Sequence, residues 1–160
     1  MKFQRFTSDE GSALVEMAIG CTVLVALVIG TMQTCLALYA YHYTAQVARM
    51  ATRYAMVRGN TSCTNTPNLA NCNATGTEIT TYVQGLGFPG IQSTGVSVTT
   101  NWCASNNTTP ATWATCSGSA SNAPGNLVKI TVAYPYAVHI PFSSSLALNV
   151  HSTSEAVISQ

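Results

Sequence analysis

The chain has 160 residues, of which 47% are hydrophobic and only 7% are charged, so it has the apolar content of a globular protein and far fewer charges. The formal net charge of +1 provides no dense basic face, which argues against nucleic acid as a main partner. Once the longest apolar segment is set aside, the remaining length suffices for one small domain with a modest core, and a multidomain enzyme is excluded.

The chain starts with a short polar leader, a glycine and then a lone glutamate inside an apolar run. In the segment SDEGSALVEM, Gly11 precedes Ser12, and Glu16 follows the glycine at a distance of five residues. An unpaired carboxylate in apolar surroundings costs several kcal/mol, so Glu16 needs a partner, and a newly exposed amino group would supply one. Taken singly, Gly11 is also typical of a turn or a helix start, and Glu16 of a carboxylate at a membrane boundary that reaches back to water.

Residues 17–39 are predicted to form a membrane-spanning helix. This segment contains no charge and one strongly polar residue, Gln33, and at about 1.5 Å per residue it is long enough to cross a bilayer. Tyr39, Tyr41 and Tyr43 cluster where the run ends, as tyrosines do at the level of lipid headgroups. A buried core helix and a cleaved secretory signal are the alternatives, and acidic residues near the start together with the length of the run disfavour the signal.

The span also contains two small residues four positions apart, Ala26 and Gly30, which would let another helix approach closely. Basic residues flank both ends of the span, so the positive-inside rule does not decide its orientation. The cysteines of the polar carboxy-terminal part decide it, because paired loop cysteines in a small domain favour disulfides and an oxidising compartment. The amino terminus is therefore expected on the cytoplasmic side.

The helical pattern continues beyond the span. Apolar side chains recur at helical spacing on one face: Tyr43, Val47, Met50 and Tyr54. The pattern predicts one unbroken helix from about Ser12 to Arg58, about 70 Å long, that stops at Gly59 and Asn60. Its first half would be a membrane anchor and its second half a stalk.

The remaining residues predict a small α+β domain. Residues 60–76 are turn-forming throughout, and apolar residues at helical spacing predict a short helix between Glu78 and Leu86. Alternating apolar and polar residues over 95–102, 127–134 and 146–158 predict three strands with one buried face. The predicted fold class is thus α+β: a long N-terminal transmembrane and stalk helix, then a short helix on an antiparallel sheet.

Four cysteines of this domain are predicted to form disulfides: Cys63, Cys72, Cys103 and Cys116. They lie in loops rich in Ser, Thr and Asn, without a CxxC pair or a histidine at zinc spacing, so no metal site is predicted. Four cysteines allow three pairings. The two sequence-local pairings, Cys63 with Cys72 and Cys103 with Cys116, are preferred because each would fasten an otherwise loose loop.

The leader motif resembles the processing site of type IV pilin-like proteins, in which a prepilin peptidase cuts after the glycine. More narrowly, GSALVEMA, the long apolar helix and the stretch LYAYHYTAQVARMATRYA resemble the TadE-like family of pseudopilins from the tight-adherence (Tad, Flp) pilus assembly system. The resemblance is specific over about the first third of the chain. Met17 stands where an aromatic residue commonly follows the glutamate in this group.

The resemblance implies a leader peptide at residues 1–11, a transmembrane and stalk helix at 12–58 and an extracytoplasmic domain of pilin-like fold at 59–160. It implies cleavage after Gly11, Ser12 as the new amino terminus, and a Glu16 that meets the freed amino terminus of a neighbouring subunit. The expected partners are the membrane, the prepilin peptidase, other pilin or pseudopilin subunits and the pilus assembly platform. The expected location is the bacterial cytoplasmic (inner) membrane in a single pass, and both a priming minor pseudopilin and a subunit of an extracellular pilus remain open.

No catalytic residue, cofactor or metal ion is predicted. Beyond Glu16 the chain offers two carboxylates and three histidines, too few for paired acid and base chemistry or for calcium. Two other function classes stay open. One is a signal-anchored binding or adhesion module that uses Asn- and Thr-rich loops with Trp102 and Trp113 and is not processed, and the other is a secreted domain released near Ala40.

Overall fold

The computed structural model describes residues 8–65, 68–104, 121–139 and 146–159. It confirms the α+β class: a long N-terminal helix is followed by two short helices and a three-stranded antiparallel sheet. The helices are α1 (Ser8–Met56), α2 (Ser62–Asn65) and α3 (Gly76–Gly85), with a 3₁₀ turn at Ser93–Gly95. The strands are β1 (Ser97–Cys103), β2 (Leu127–Val138) and β3 (Leu146–Val157).

The sheet has the order β1-β2-β3, so β2 is central. It pairs with β1 over residues 127–133 and with β3 over its whole length. Alternate β2 side chains, Val128, Ile130 and Val132, are completely buried. The residues between them lie on the opposite face, where the Lys129 Nζ is 3.1 Å from the Glu155 Oε1. This alternation is the one that the sequence predicts, although β2 continues four residues beyond its predicted end.

The second half of α1 supplies one wall of the core. Its buried residues recur at intervals of three and four, which places them on a single face: Ala40, Tyr43, Thr44, Val47, Ala48, Ala51, Thr52 and Ala55. Met50 and Tyr54, which the sequence predicts on the packed face, are only half-buried at its edge. Most residues on this face are small, so the sheet packs close to the helix backbone.

Helix α3 packs against β1 and α1 and confirms the short helix predicted from residue spacing. Thr75 caps its first turn: the Thr75 hydroxyl accepts the backbone N–H of Glu78, and the Glu78 carboxylate accepts the backbone N–H of Thr75 at 2.8 Å. This reciprocal pair satisfies two backbone donors that a helix start leaves free. Ile79 and Val83 point into the core and are almost completely buried.

The segment between α1 and α3 is more ordered than a succession of turns. It contains the single-turn helix α2, and it packs on the core through Ser62 and Ala74, both of which are 0% exposed. The backbone N–H of Ala74 donates to the Arg58 carbonyl at 2.9 Å, which fastens the end of the segment to the residues just after α1. The prediction of turns throughout is therefore wrong for α2, because serine and threonine favour helix starts as readily as turns.

The predicted disulfide between Cys63 and Cys72 is confirmed, with the two Cα atoms 4.9 Å apart. Cys103 is also disulfide-bonded. Its predicted partner, Cys116, lies outside the described residues. Cys21 and Cys35 are free and exposed on the surface of α1.

Candidate membrane and assembly segment

The first half of α1 is left largely uncovered by the domain. From residue 11 to residue 32 every side chain is exposed except Ile29, and large apolar side chains such as Leu14 and Met32 are 72% and 62% exposed. The 22 residues span about 33 Å, close to the roughly 30 Å hydrocarbon thickness of a bilayer. Among the described residues, α1 is the one helix long and apolar enough to cross a membrane.

The three residues of the leader motif all lie within this helix. Helix α1 starts at Ser8, four residues before the predicted start, so Gly11 is inside the helix rather than in a turn. The sequence SDE before Gly11 is typical of a helix N-terminus, which accounts for the earlier start. A side chain at Gly11 would meet no other atom within 4 Å.

Ser12 and Glu16 are four residues apart and therefore lie on the same face of α1, about one turn from each other. The Glu16 side chain is exposed. Within residues 8–65, 68–104, 121–139 and 146–159, the Lys129–Glu155 pair is the one ion pair, so Glu16 has no charged partner in the part of the chain that is described. The structure thus places Ser12 and Glu16 together on an uncovered surface.

Ala26 and Gly30 lie on one exposed ridge of the same helix. A side chain at Gly30 would meet no other atom within 4 Å, so the space above the ridge is open. Both residues line a groove of about 720 Å³, and Val138 and His139 at the end of β2 form its far wall. Ala26 and Gly30 therefore lie next to the end of β2. The sequence did not indicate this proximity.

Two of the hydrogen bonds that join the domain to α1 lie near the end of the apolar run, and they were not predicted from the sequence. The Tyr136 hydroxyl donates to the Gln33 Oε1 at 2.9 Å, and the Tyr39 hydroxyl donates to the Pro89 carbonyl at 3.1 Å. Gln33 is the single strongly polar residue of the predicted span. A lone polar side chain in an apolar segment requires a hydrogen-bond partner, and this is the sequence signal that could have indicated the contact. The domain therefore reaches about 9 Å along α1 below Tyr39.

The three tyrosines at the end of the apolar run have different environments. Tyr41 is 54% exposed, whereas Tyr43 is 4% exposed and packs edge-on against Phe88, with 4.8 Å between ring centroids. Burial raises the pKa of the Tyr43 hydroxyl above 10.0, and the nearby Tyr134 and Tyr39 add to the rise. The prediction of a headgroup position is therefore wrong for Tyr43, because its place on the helix turns it towards the sheet.

No further chemical site stands out in the part of the chain that is described. Those residues contain no group of three or more His, Cys, Asp or Glu side chains that could hold a metal ion. Trp102 is half-buried and packs against the core, and Trp113 lies outside the described residues. What the described surface offers is an exposed apolar helix segment with the carboxylate of Glu16 near its start and a ridge of small residues, an arrangement suited to packing.

Comparison with known protein families gives a match to the amino-terminal part of the chain. The family model of TadE-like proteins matches residues 11–53. The match begins at Gly11, includes Glu16 and the whole exposed apolar segment, and ends three residues before the end of α1. No curated protein and no solved structure matches the chain. The predicted resemblance is confirmed over this segment.

Proposed function

Since residues 11–53 are TadE-like, we propose that the chain is a pilin-like membrane subunit, a minor pseudopilin, of a Tad-type pilus apparatus. The observation that carries the proposal is that the family match contains the stretch of α1 that the domain leaves uncovered. A helix that is apolar on all sides needs lipid or other helices around it. When a membrane-held subunit passes into a filament, neighbouring helices replace the lipid around its own helix.

The proposal includes cleavage after Gly11 by a prepilin peptidase. The space around Gly11 is open, since even a side chain at this position would contact nothing within 4 Å, so the domain does not block access to the peptide bond that follows it. Cleavage would make Ser12 the new amino terminus. The Ser12 amine would then lie on the same face as Glu16, at the very start of the apolar helix.

Assembly would proceed through the same helix. Glu16 has no charged partner among the described residues, and an unpaired carboxylate in an apolar environment is costly. The amino terminus of a neighbouring subunit removes this cost by pairing with Glu16 as the helices pack. The open ridge at Ala26 and Gly30 lets a second helix approach closely along the same helix.

The proposed location is the bacterial cytoplasmic membrane, crossed once, with the domain outside. The Cys63–Cys72 disulfide and the bonded Cys103 support this orientation, because disulfides persist in oxidising compartments. The proposed partners are the prepilin peptidase, other pilin or pseudopilin subunits and the assembly platform.

Substitution of Glu16 tests the proposal. The Glu16→Ala chain should still enter the membrane and form the Cys63–Cys72 disulfide, while cleavage or incorporation into pili falls. Glu155→Gln removes a carboxylate from the outer surface of the sheet and serves as the matched control, with wild-type cleavage and incorporation expected. Filaments that contain Glu16→Ala at the wild-type level would contradict the assigned role.

Substitution of Gly30 tests the packing ridge separately. Gly30→Leu should leave cleavage unchanged and lower incorporation, because the larger side chain holds the neighbouring helix away. Val28→Leu changes an exposed side chain at nearly the same depth, about 160° around the helix, and should incorporate normally. Equal incorporation of both variants, measured by immunoblotting of sheared pili, would exclude the ridge from the interface.

A further inference from the structure

The distal end of the β2–β3 hairpin has an unusual composition. Its last three cross-strand pairs are Tyr136 with Leu148, Ala137 with Ala147, and Val138 with Leu146. We refer to residues 136–138 and 146–148 as the hairpin tip. Since neighbouring strand residues point to opposite faces, a ribbon made only of these side chains is apolar on both faces.

The rest of the hairpin keeps a polar outer face. At the opposite end, Lys129 pairs with Glu155, and the hydroxyls of Thr131 and Thr153 are 3.0 Å apart. Such alternation is typical of a sheet with one face in water. At the tip this alternation is lost, which indicates that neither face of the tip is suited to contact with water.

The two leucines of the tip are nevertheless largely uncovered in the single chain, whereas Tyr136 and Val138 are half-buried. Leu146 is 61% exposed and Leu148 is 45% exposed, although both stand on the face of β3 that is turned towards α1. Outside α1, the described residues include three exposed large hydrophobic side chains, and two of them are these leucines. An exposed apolar surface of this kind needs a lipid or protein partner.

Position along α1 favours the lipid. If Glu16 stays at the inner boundary, a hydrocarbon layer that needs about 20 residues starts at Met17 and ends at Leu36. The Tyr136 hydroxyl bonds Gln33, which is three residues, or about 4.5 Å, inside that limit. The hydrogen bond therefore holds the tip just inside the outer edge of the hydrocarbon layer, and Val138 lies deeper, beside Gly30.

The backbone of the tip limits how deep it can lie. Strand β1 pairs with β2 only as far as Ala133, so the ribbon beyond that point has two strands and two open edges in the described part of the chain. Unpaired backbone groups are not tolerated in the hydrocarbon centre but are solvated among headgroups. The ribbon therefore suits the interfacial layer.

We infer that the hairpin tip inserts into the outer leaflet beside α1, at the boundary between the headgroups and the acyl chains, and forms a second membrane contact. The occupant of this surface is the lipid bilayer. This inference rests on the membrane insertion proposed above, and it is independent of cleavage and filament assembly. Its consequence is that α1 and the hairpin together fix the depth of the domain on the membrane, so that extraction of the subunit into a filament must also withdraw the tip.

Fluorescent labels at single cysteines test the inference in the full chain. The background is Cys21→Ser with Cys35→Ser, the native disulfides are kept oxidised, and the chain is reconstituted in phosphatidylcholine–phosphatidylglycerol vesicles. An environment-sensitive NBD label is attached at Leu148→Cys, at Ala147→Cys on the opposite face of the ribbon, or at Thr153→Cys as the control far from the tip. A fourth sample keeps native Cys21 as a label inside the span.

Both tip labels should lose most of their fluorescence when the lipids carry doxyl groups near the glycerol backbone, and should be protected from aqueous iodide. The Thr153→Cys label should show the reverse. If the Cys21 label is quenched by lipid-borne doxyl groups but both tip labels respond only to iodide, the tip contact is wrong while insertion of α1 stands. If the Cys21 label is not quenched by lipid either, the proposed membrane insertion fails and the tip contact fails with it.

A series of protein-to-lipid ratios separates lipid from a second copy of the chain. Quenching by doxyl lipids that persists at high dilution of protein in lipid supports contact with the bilayer. Protection from iodide that appears only in crowded vesicles, without quenching by doxyl lipids, would assign the tip to a subunit interface and overturn the inference. Correct folding of each variant is checked by the oxidised state of the Cys63–Cys72 pair.

Discussion

Because α1 and the sheet are in close contact, we expect both smaller and larger side chains on the buried face of α1 to lower the stability of the fold. Val47 and Ala51 lie one turn apart on the buried face, and both are 0% exposed. Val47→Ala removes the equivalent of two methylene groups, worth about 1.6 kcal/mol at about 0.8 kcal/mol each, and leaves a cavity that raises the loss to about 2–3 kcal/mol. Ala51→Leu adds three carbon atoms where there is no free surface, and should cost about 1–3 kcal/mol by overpacking.

Gln46→Leu is the matched control, because Gln46 is exposed on the same stretch of helix and both residues are good helix formers. The Gln46→Leu substitution should change the free energy of unfolding by no more than about 0.5 kcal/mol. For a domain of this size, 1 kcal/mol corresponds to about 4 °C in Tm. The Val47→Ala chain should therefore melt about 8–12 °C below the wild type, and the Ala51→Leu chain about 4–12 °C below it.

Thermal unfolding of the full chain in detergent micelles, followed by near-ultraviolet circular dichroism, measures these differences. Aromatic side chains packed against the core, among them Trp102 and the stacked pair Tyr54 and Tyr82, report on the folded domain. An Ala51→Leu chain that melts together with the wild type would refute the close contact. A Gln46→Leu chain that loses as much stability as Ala51→Leu would show that the helix faces are assigned wrongly.

Three further predictions concern the domain. Replacing Cys63 and Cys72 by serine should cost about 2.5 kcal/mol, since the bridge closes a short loop, and an unchanged Tm would contradict this. Tyr43→Phe should weaken the loss of stability above pH 10: with a raised pKa in the folded state, neutral Tyr43 contributes stability that is complete below about pH 10 and disappears as the pH rises through the folded value. Urea titrations from pH 8 to about pH 11 measure it, and identical slopes for the two proteins would refute it. Thr75→Ala should cost about 1 kcal/mol through loss of the α3 cap, whereas Thr81→Ala, on the exposed surface of α3, should cost less; equal losses would contradict the capping role.

Long periodic patterns made the main elements predictable. An apolar run without charge and a continuing helical repeat predict one helix, and the structure has one from Ser8 to Met56. Strict alternation predicts the strands, because Val128, Ile130 and Val132 can all be buried only if their neighbours face water. These signals are local, so a single sequence contains them in full.

The packed face of α1 was harder to predict. Most of its residues are alanines and threonines, which occur on buried and exposed helix faces alike. The prediction therefore followed the large apolar residues and included Met50 and Tyr54 in the packed face. The choice between these faces depends on the sheet, whose strands start more than forty residues further along the chain. A helical period alone does not contain that information.

One part of the candidate site could be predicted from the sequence and another could not. Ser12 and Glu16 are close in sequence and lie within the predicted helix, so their place on one face follows from the motif itself, whereas the inclusion of Gly11 in α1 was not predicted. The contact between Gln33 and Tyr136 joins residues 103 positions apart, and it depends on how far the hairpin extends along α1. That depth is set by the packing of the whole domain, and only the structure shows it.

The decisive measurement for the proposed function is the amino-terminal residue of the mature chain, determined by mass spectrometry of the intact protein purified from its own membrane. Processing by a prepilin peptidase predicts a chain that starts at Ser12, after removal of residues 1–11. A chain that starts at Met1 would contradict processing and favour an anchored binding module, and a start near Tyr41 would contradict the membrane subunit altogether by showing a secreted domain.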